Sequence, residues 1–151
     1  MKATFILPLN ENIVKILEKI AENYKTDVKK EDMKDGYFIL AKPKLQIASA
    51  VETSNYIIHV WGASEEDINY LTTMFDDPIR TSSEKLTTLE FAQELLILPN
   101  IENLSKSEII DIMQLSEQDY DQYKKLLRLS VMRQSPHKAV EQIYKILEKK
   151  Q

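Results

Sequence analysis

The 151 residues are 43% hydrophobic and 29% charged, a globular balance with room for one compact domain or two small ones, and not a disordered or fibrous composition. Without cysteine there is no disulfide framework, thiol nucleophile or zinc-thiolate site. The two glycines, Gly36 and Gly62, cannot build a G-x-G-x-x-G or Walker phosphate loop, and the formal net charge of −4 argues against broad coating of a nucleic acid. No apolar run approaches the ~18–20 residues of a membrane helix. Met1-Lys2-Ala3-Thr4-Phe5 lacks a secretory pattern. A cytoplasmic location without a membrane partner is therefore expected.

In chain order, the apolar run Ala3–Leu9 reads as a strand, and Pro8 suits an edge strand because it has no N–H to donate. Asn10 can cap a helix bearing Ile13, Ile16, Leu17, Ile20, Ala21 and Tyr24 at helical spacing. The polar stretch Lys25–Asp35 closes at Gly36 as a turn. Three strands follow: Tyr37–Ala41, Leu45–Glu52 and Tyr56–Trp61. Lys42-Pro43-Lys44 interrupts the first pair, and Thr53-Ser54-Asn55 turns the second. Ser64 with Asp67 has the spacing of a cap pair, opening a helix through Ile68, Leu71, Met74 and Phe75. Asp76-Asp77-Pro78 ends it.

The boundary falls at Asp77–Ser83, where Pro78 and the Thr81-Ser82-Ser83 cluster interrupt the periodicity, and everything afterwards reads as helical. One segment covers about Glu84–Leu98 and stops at Pro99. Ser105 with Glu108 starts a short helix, and Ser116 with Asp119 starts another through Tyr120, Tyr123, Leu126, Leu127 and Val131. Ser135-Pro136 places a cap and a first-turn proline ahead of Val140, Ile143, Tyr144 and Leu147. The expected class is α+β: a β-α-β-β-β-α unit with an antiparallel sheet over residues 1–78, then an all-helical region over 79–151.

The order of elements in the first half, with Lys42-Pro43-Lys44, Thr53-Ser54-Asn55-Tyr56-Ile57-Ile58 and Gly62-Ala63 before Ser64-Glu65-Glu66, resembles one repeat of the TATA-box-binding protein fold. The same fold occurs as an accessory domain in the ribonuclease HIII family. The resemblance spans about Ala3–Phe75. It implies an open sheet face laid against a partner, which in the family is the DNA minor groove. The family places small groups just before the Gly-Ala pair, where this chain has His59 and Trp61. Glu52 stands nearest one phenylalanine wedge, and a carboxylate cannot unstack bases as a wedge does. Ile39 and Ala41 replace basic residues, while Met33, near the other wedge, stays apolar. The resemblance thus implies the fold more than the DNA bending. With one repeat, a two-repeat saddle requires a homodimer.

Several residue types could carry chemistry. His59 alternates with Ile57 and Trp61 on one strand face, as an acid–base or ligand-facing group or as an ordinary sheet histidine. No second histidine stands at metal-ligand spacing, so no metal and no cofactor are expected. Trp61 is either a partner anchor on an open face or a packed core residue. The carboxylates Glu65, Glu66 and Asp119 fall at helix starts, where the dipole accounts for them. Ser105–Lys125 has the length pattern of a helix-turn-helix, but Glu117, Asp119 and Asp121 at its second helix would repel phosphates. Over Lys124–Lys150 the count is 8 Lys/Arg against 2 acids. That makes Lys124, Lys125, Arg128, Arg133 and Lys138 the candidates for a phosphate-binding face. The leading expectation is a non-enzymatic adaptor in a nucleic-acid-related assembly, binding another protein, with homodimerisation, through Ile57, His59, Trp61 and Glu52. Direct DNA or RNA binding through the basic set is the alternative.

Overall fold

The computed structural model describes residues 1–30, 36–41, 45–52, 54–82 and 86–150, with the backbone alone at Glu52 and Ser82. Met33, Lys42-Pro43-Lys44, Thr53 and Glu84, invoked above, lie outside the described residues. The chain divides into two units, Met1–Ser83 and Glu84–Gln151.

The first unit runs β1 (Lys2–Pro8), α1 (Ile13–Asn23), β2 (Lys29–Lys30), β3 (Tyr37–Leu40), β4 (Gln46–Glu52), β5 (Asn55–Trp61), α2 (Glu65–Phe75) and β6 (Arg80–Ser82). The strands form one antiparallel sheet in the order β2-β3-β4-β5-β1-β6. The α+β class is therefore present, with an antiparallel sheet as expected.

Alternation decides which sheet face meets the helices. Ala3, Val60, Ile47 and Ile39 stand opposite one another across four strands, and all are buried. Onto this face α1 lays Leu17 and Ile20, and α2 lays Leu71 and Phe75. The Phe75 ring sits 5.4 Å from that of Phe5. Each such buried side chain is worth roughly 1.5–3 kcal/mol relative to exposure. Ser64 caps α2 by accepting from Asp67 N at 3.1 Å, while Asp67 Oδ2 accepts from Ser64 N at 2.9 Å.

Three expectations change here. Residues 80–82, inside the expected boundary stretch, form a strand, so the first unit extends past Pro78 to Ser83. Two exposed lysines inside the presumed turn form β2, a short charged strand that blunts one sheet edge. Pro8 does not mark an edge strand, because β1 lies between β5 and β6. The β6 pairing reaches only Lys2–Thr4, so the missing N–H of Pro8 deprives no partner on that side.

Gly36 is the position where a side chain cannot fit. A Cβ there would lie 2.2 Å from the Ser49 carbonyl oxygen of β4. Gly36→Ala must therefore push β3 and β4 apart. A loss of about 1–3 kcal/mol in urea unfolding is expected. An unchanged midpoint would show that the two backbones do not approach so closely.

The second unit contains α3 (Thr88–Ile97), a 3-10 turn (Ile101–Asn103), α4 (Lys106–Met113), α5 (Glu117–Val131) and α6 (Lys138–Leu147). Phe91 and Leu95 of α3, Tyr123 and Leu127 of α5, and Ile143 and Leu147 of α6 are buried, and these three helices pack together. Thr87 and Ser105 cap α3 and α4 in reciprocal boxes with Glu90 and Glu108. The start of α6 departs from expectation. His137, not Ser135, is the cap, its Nδ1 accepting from Ala139 N at 3.1 Å, and Pro136 precedes the helix.

Candidate functional site

Two surfaces carry the residues singled out by sequence. The first is the sheet face turned away from α1 and α2. Arg80, Thr4, His59, Ala48, Phe38 and Lys29 form one transverse row across all six strands. His59 is largely buried in this row. Its Nδ1 lies 3.2 Å from Thr4 Oγ1, and its ring stacks on Trp61 at 5.8 Å. Burial, reinforced by the nearby Arg80 cation, lowers the imidazole pKa to about 4, so the ring is neutral at physiological pH.

Trp61 is 0% exposed. This corrects its assignment as a surface anchor: the indole offers no area to a partner in this state. Phe38 and Ala48 of the same transverse row are buried with it, so the middle of this face is not open, although Lys29 at its edge is exposed. Trp61 Nε1 and Gln46 Oε1, on directly opposed residues of β5 and β4, have no hydrogen-bond partner among the described residues. Ile57 is half-buried, and Glu52 ends β4 opposite Asn55. The four residues proposed from sequence thus share two adjacent strands, but they do not form an open docking face.

Asp67 is a buried carboxylate with an ordinary explanation. Besides holding the α2 cap, its Oδ1 accepts from Tyr24 Oη at 2.8 Å, tying the end of α1 to the start of α2. That contact and burial raise the Tyr24 pKa, burial being the larger cause. No group of three or more potential metal ligands occurs among the described residues.

The second surface belongs to α5. Its inner side buries Tyr120, Tyr123 and Leu127. The first turn is acidic, and Lys106 of α4 pairs with Glu117 at 3.3 Å and Asp121 at 3.1 Å while lying over the Tyr120 ring. This end of a would-be recognition helix presents carboxylates, which disfavours phosphate.

The C-terminal half differs in character. Lys125, Arg128, Arg133 and Lys138 are exposed, and none of them is in an ion pair among the described residues. Lys124 instead donates to the Lys150 carbonyl at 3.5 Å. Leu126, Leu129 and Met132 are 36%, 49% and 73% exposed. They recur every third residue and form an apolar ridge among the cations. Leu126 stands beside Leu127 in the apolar run predicted for this helix, and helical periodicity alone does not separate the two adjoining faces. Leu129 and Met132 carried no signal beyond their occurrence beside the cations.

No family model, curated protein or solved structure matches the chain.

Proposed function

We propose that this chain is a non-enzymatic, cytosolic adaptor that binds another protein through the outer face of α5. The supporting observation is the ridge of Leu126, Leu129 and Met132, left in water beside Lys125, Arg128 and Arg133. The other exposed large apolar residues, such as Val51, Ile79 and Leu89, stand on separate segments. Single exposed apolar residues are normal, whereas a contiguous set with a polar rim is the usual make-up of an interaction site. His59 and Asp67 have structural roles that account for their burial, so neither favours catalysis. The nucleic-acid-related setting rests only on the resemblance of the first half to the TATA-box-binding protein repeat. A homodimeric saddle rests on the same resemblance.

Capture from the native host tests this reading, using wild-type chain and Leu129→Glu as paired baits with nuclease treatment. The substitution is on the surface, where stability changes are usually within about 0.5 kcal/mol. A protein retained by wild type after nuclease digestion and lost from the variant is expected. Identical protein sets on both baits would overturn the assignment.

The alternative is direct DNA or RNA binding through Lys124, Lys125, Arg128, Arg133 and Lys138. It is favoured by the four exposed cations at the end of α5 and the start of α6. It requires affinity that falls steeply with salt and a shallower salt dependence once those cations are neutralised.

A further inference from the structure

We infer that the occupant of the α5 face is an amphipathic helix of another protein, with an apolar stripe flanked by carboxylates. This rests on the adaptor reading and specifies its partner. Leu126, Leu129 and Met132 follow the i, i+3 row of α5 and span about 9 Å, just under two helical turns. Such a row packs into the i, i+4 grooves of a second helix at a shallow crossing angle. A helix laid nearly along α5 brings its flanking residues beside Lys125, Arg128 and Arg133 for two turns. Those three cations are exposed and in no ion pair among the described residues, so complementary flanks are acidic.

The ridge also argues against larger polyanions. A phosphate backbone pairs with the cations but leaves Leu129 and Met132 uncovered. A nucleic acid duplex extending along α5 meets Glu117 and Asp121 on the same helix, both exposed. A membrane surface requires a broad apolar face, and α5 already buries Tyr120, Tyr123 and Leu127 in its own bundle. The stripe left over is narrow and without aromatic residues, which suits a helix groove.

The test uses the full chain, isotopically labelled, and three synthetic helical peptides: one with a leucine stripe flanked by glutamates, its lysine-flanked twin, and a scrambled control. Duplex DNA and phosphatidylserine vesicles are titrated in parallel. The glutamate peptide should bind about tenfold or more tightly than either control and shift the amide resonances of residues 122–133. Leu129→Glu and, independently, Met132→Glu should each weaken binding about tenfold, with unchanged melting curves confirming that both variants fold.

Equal binding of the glutamate and lysine peptides, or resonance shifts elsewhere, would overturn the inference. So would binding of only DNA or vesicles, or self-association of the chain abolished by Leu129→Glu. If the acidic peptide fails while Leu129→Glu still releases a native partner, the partner class is wrong and the adaptor reading stands. If both fail, both fall.

Discussion

Phe91→Ala is expected to destabilise the helical unit by about 3–5 kcal/mol in urea unfolding followed by far-UV circular dichroism. Phe91 of α3 is fully buried, and its ring stacks on Tyr123 of α5 with centroids 4.3 Å apart and planes within 6°. Truncation removes that contact and leaves a ring-sized void between helices whose backbones cannot close it. Tyr123 adds a second tie, because its hydroxyl donates to the Leu86 carbonyl at 2.5 Å. Tyr123→Phe keeps the ring and strands that buried acceptor, a smaller loss of about 1–3 kcal/mol. The two substitutions touch one another, so the double variant should depart from additivity by about 0.5 kcal/mol or more. A cost below about 1 kcal/mol for Phe91→Ala would show that α3 and α5 do not pack through this pair.

The second large effect depends on pH. The folded-state pKa of His59 is about 4, below the ordinary imidazole value of 6.5, because the ring is buried and faces the Arg80 cation. The folded chain therefore binds fewer protons there than the unfolded chain. This stability is fully present above pH 6.5 and is lost as pH falls towards the folded-state value. The difference corresponds to about 3 kcal/mol at the acid end. Between pH 7 and pH 4, wild type should lose most of that amount beyond what a His59→Gln variant loses, since carboxylate contributions are common to both. Nuclear magnetic resonance of the imidazole provides the direct check. A His59 ring titrating near pH 6.5 would mean that it is solvated and that the sheet face around it is open.

Much of the fold could be read from residue patterns because local rules and tertiary packing agree. Ile13, Leu17 and Ile20 recur at helical spacing and do line α1 against the sheet. Ser64 and Asp67 have cap spacing and make both cap hydrogen bonds. The misses have identifiable causes. Arg80-Thr81-Ser82 has no apolar alternation, and only pairing with β1 makes it a strand. Lys29-Lys30 is likewise defined by its neighbour β3. Ser135-Pro136 obeys the rule for a helix start, yet His137 supplies the acceptor two residues closer to the apolar stripe. Burial was the least legible property. Alternation places His59 and Trp61 together on the face opposite Phe5, but it cannot say whether that face is covered. The α5 ridge was hidden for a related reason: Leu126 and Leu127 are adjacent in sequence, and only the packing of the helix shows which one is buried.

The stacked pair on β5 also gives the molecule a built-in optical probe. Trp61 is the only indole in the chain, so its fluorescence comes from one site without engineering. Shielded from water, it should emit at the short-wavelength end of the indole range. The imidazole beside it becomes a cationic quencher on protonation, so emission intensity should report the charge state of His59 in the same cuvette that follows unfolding.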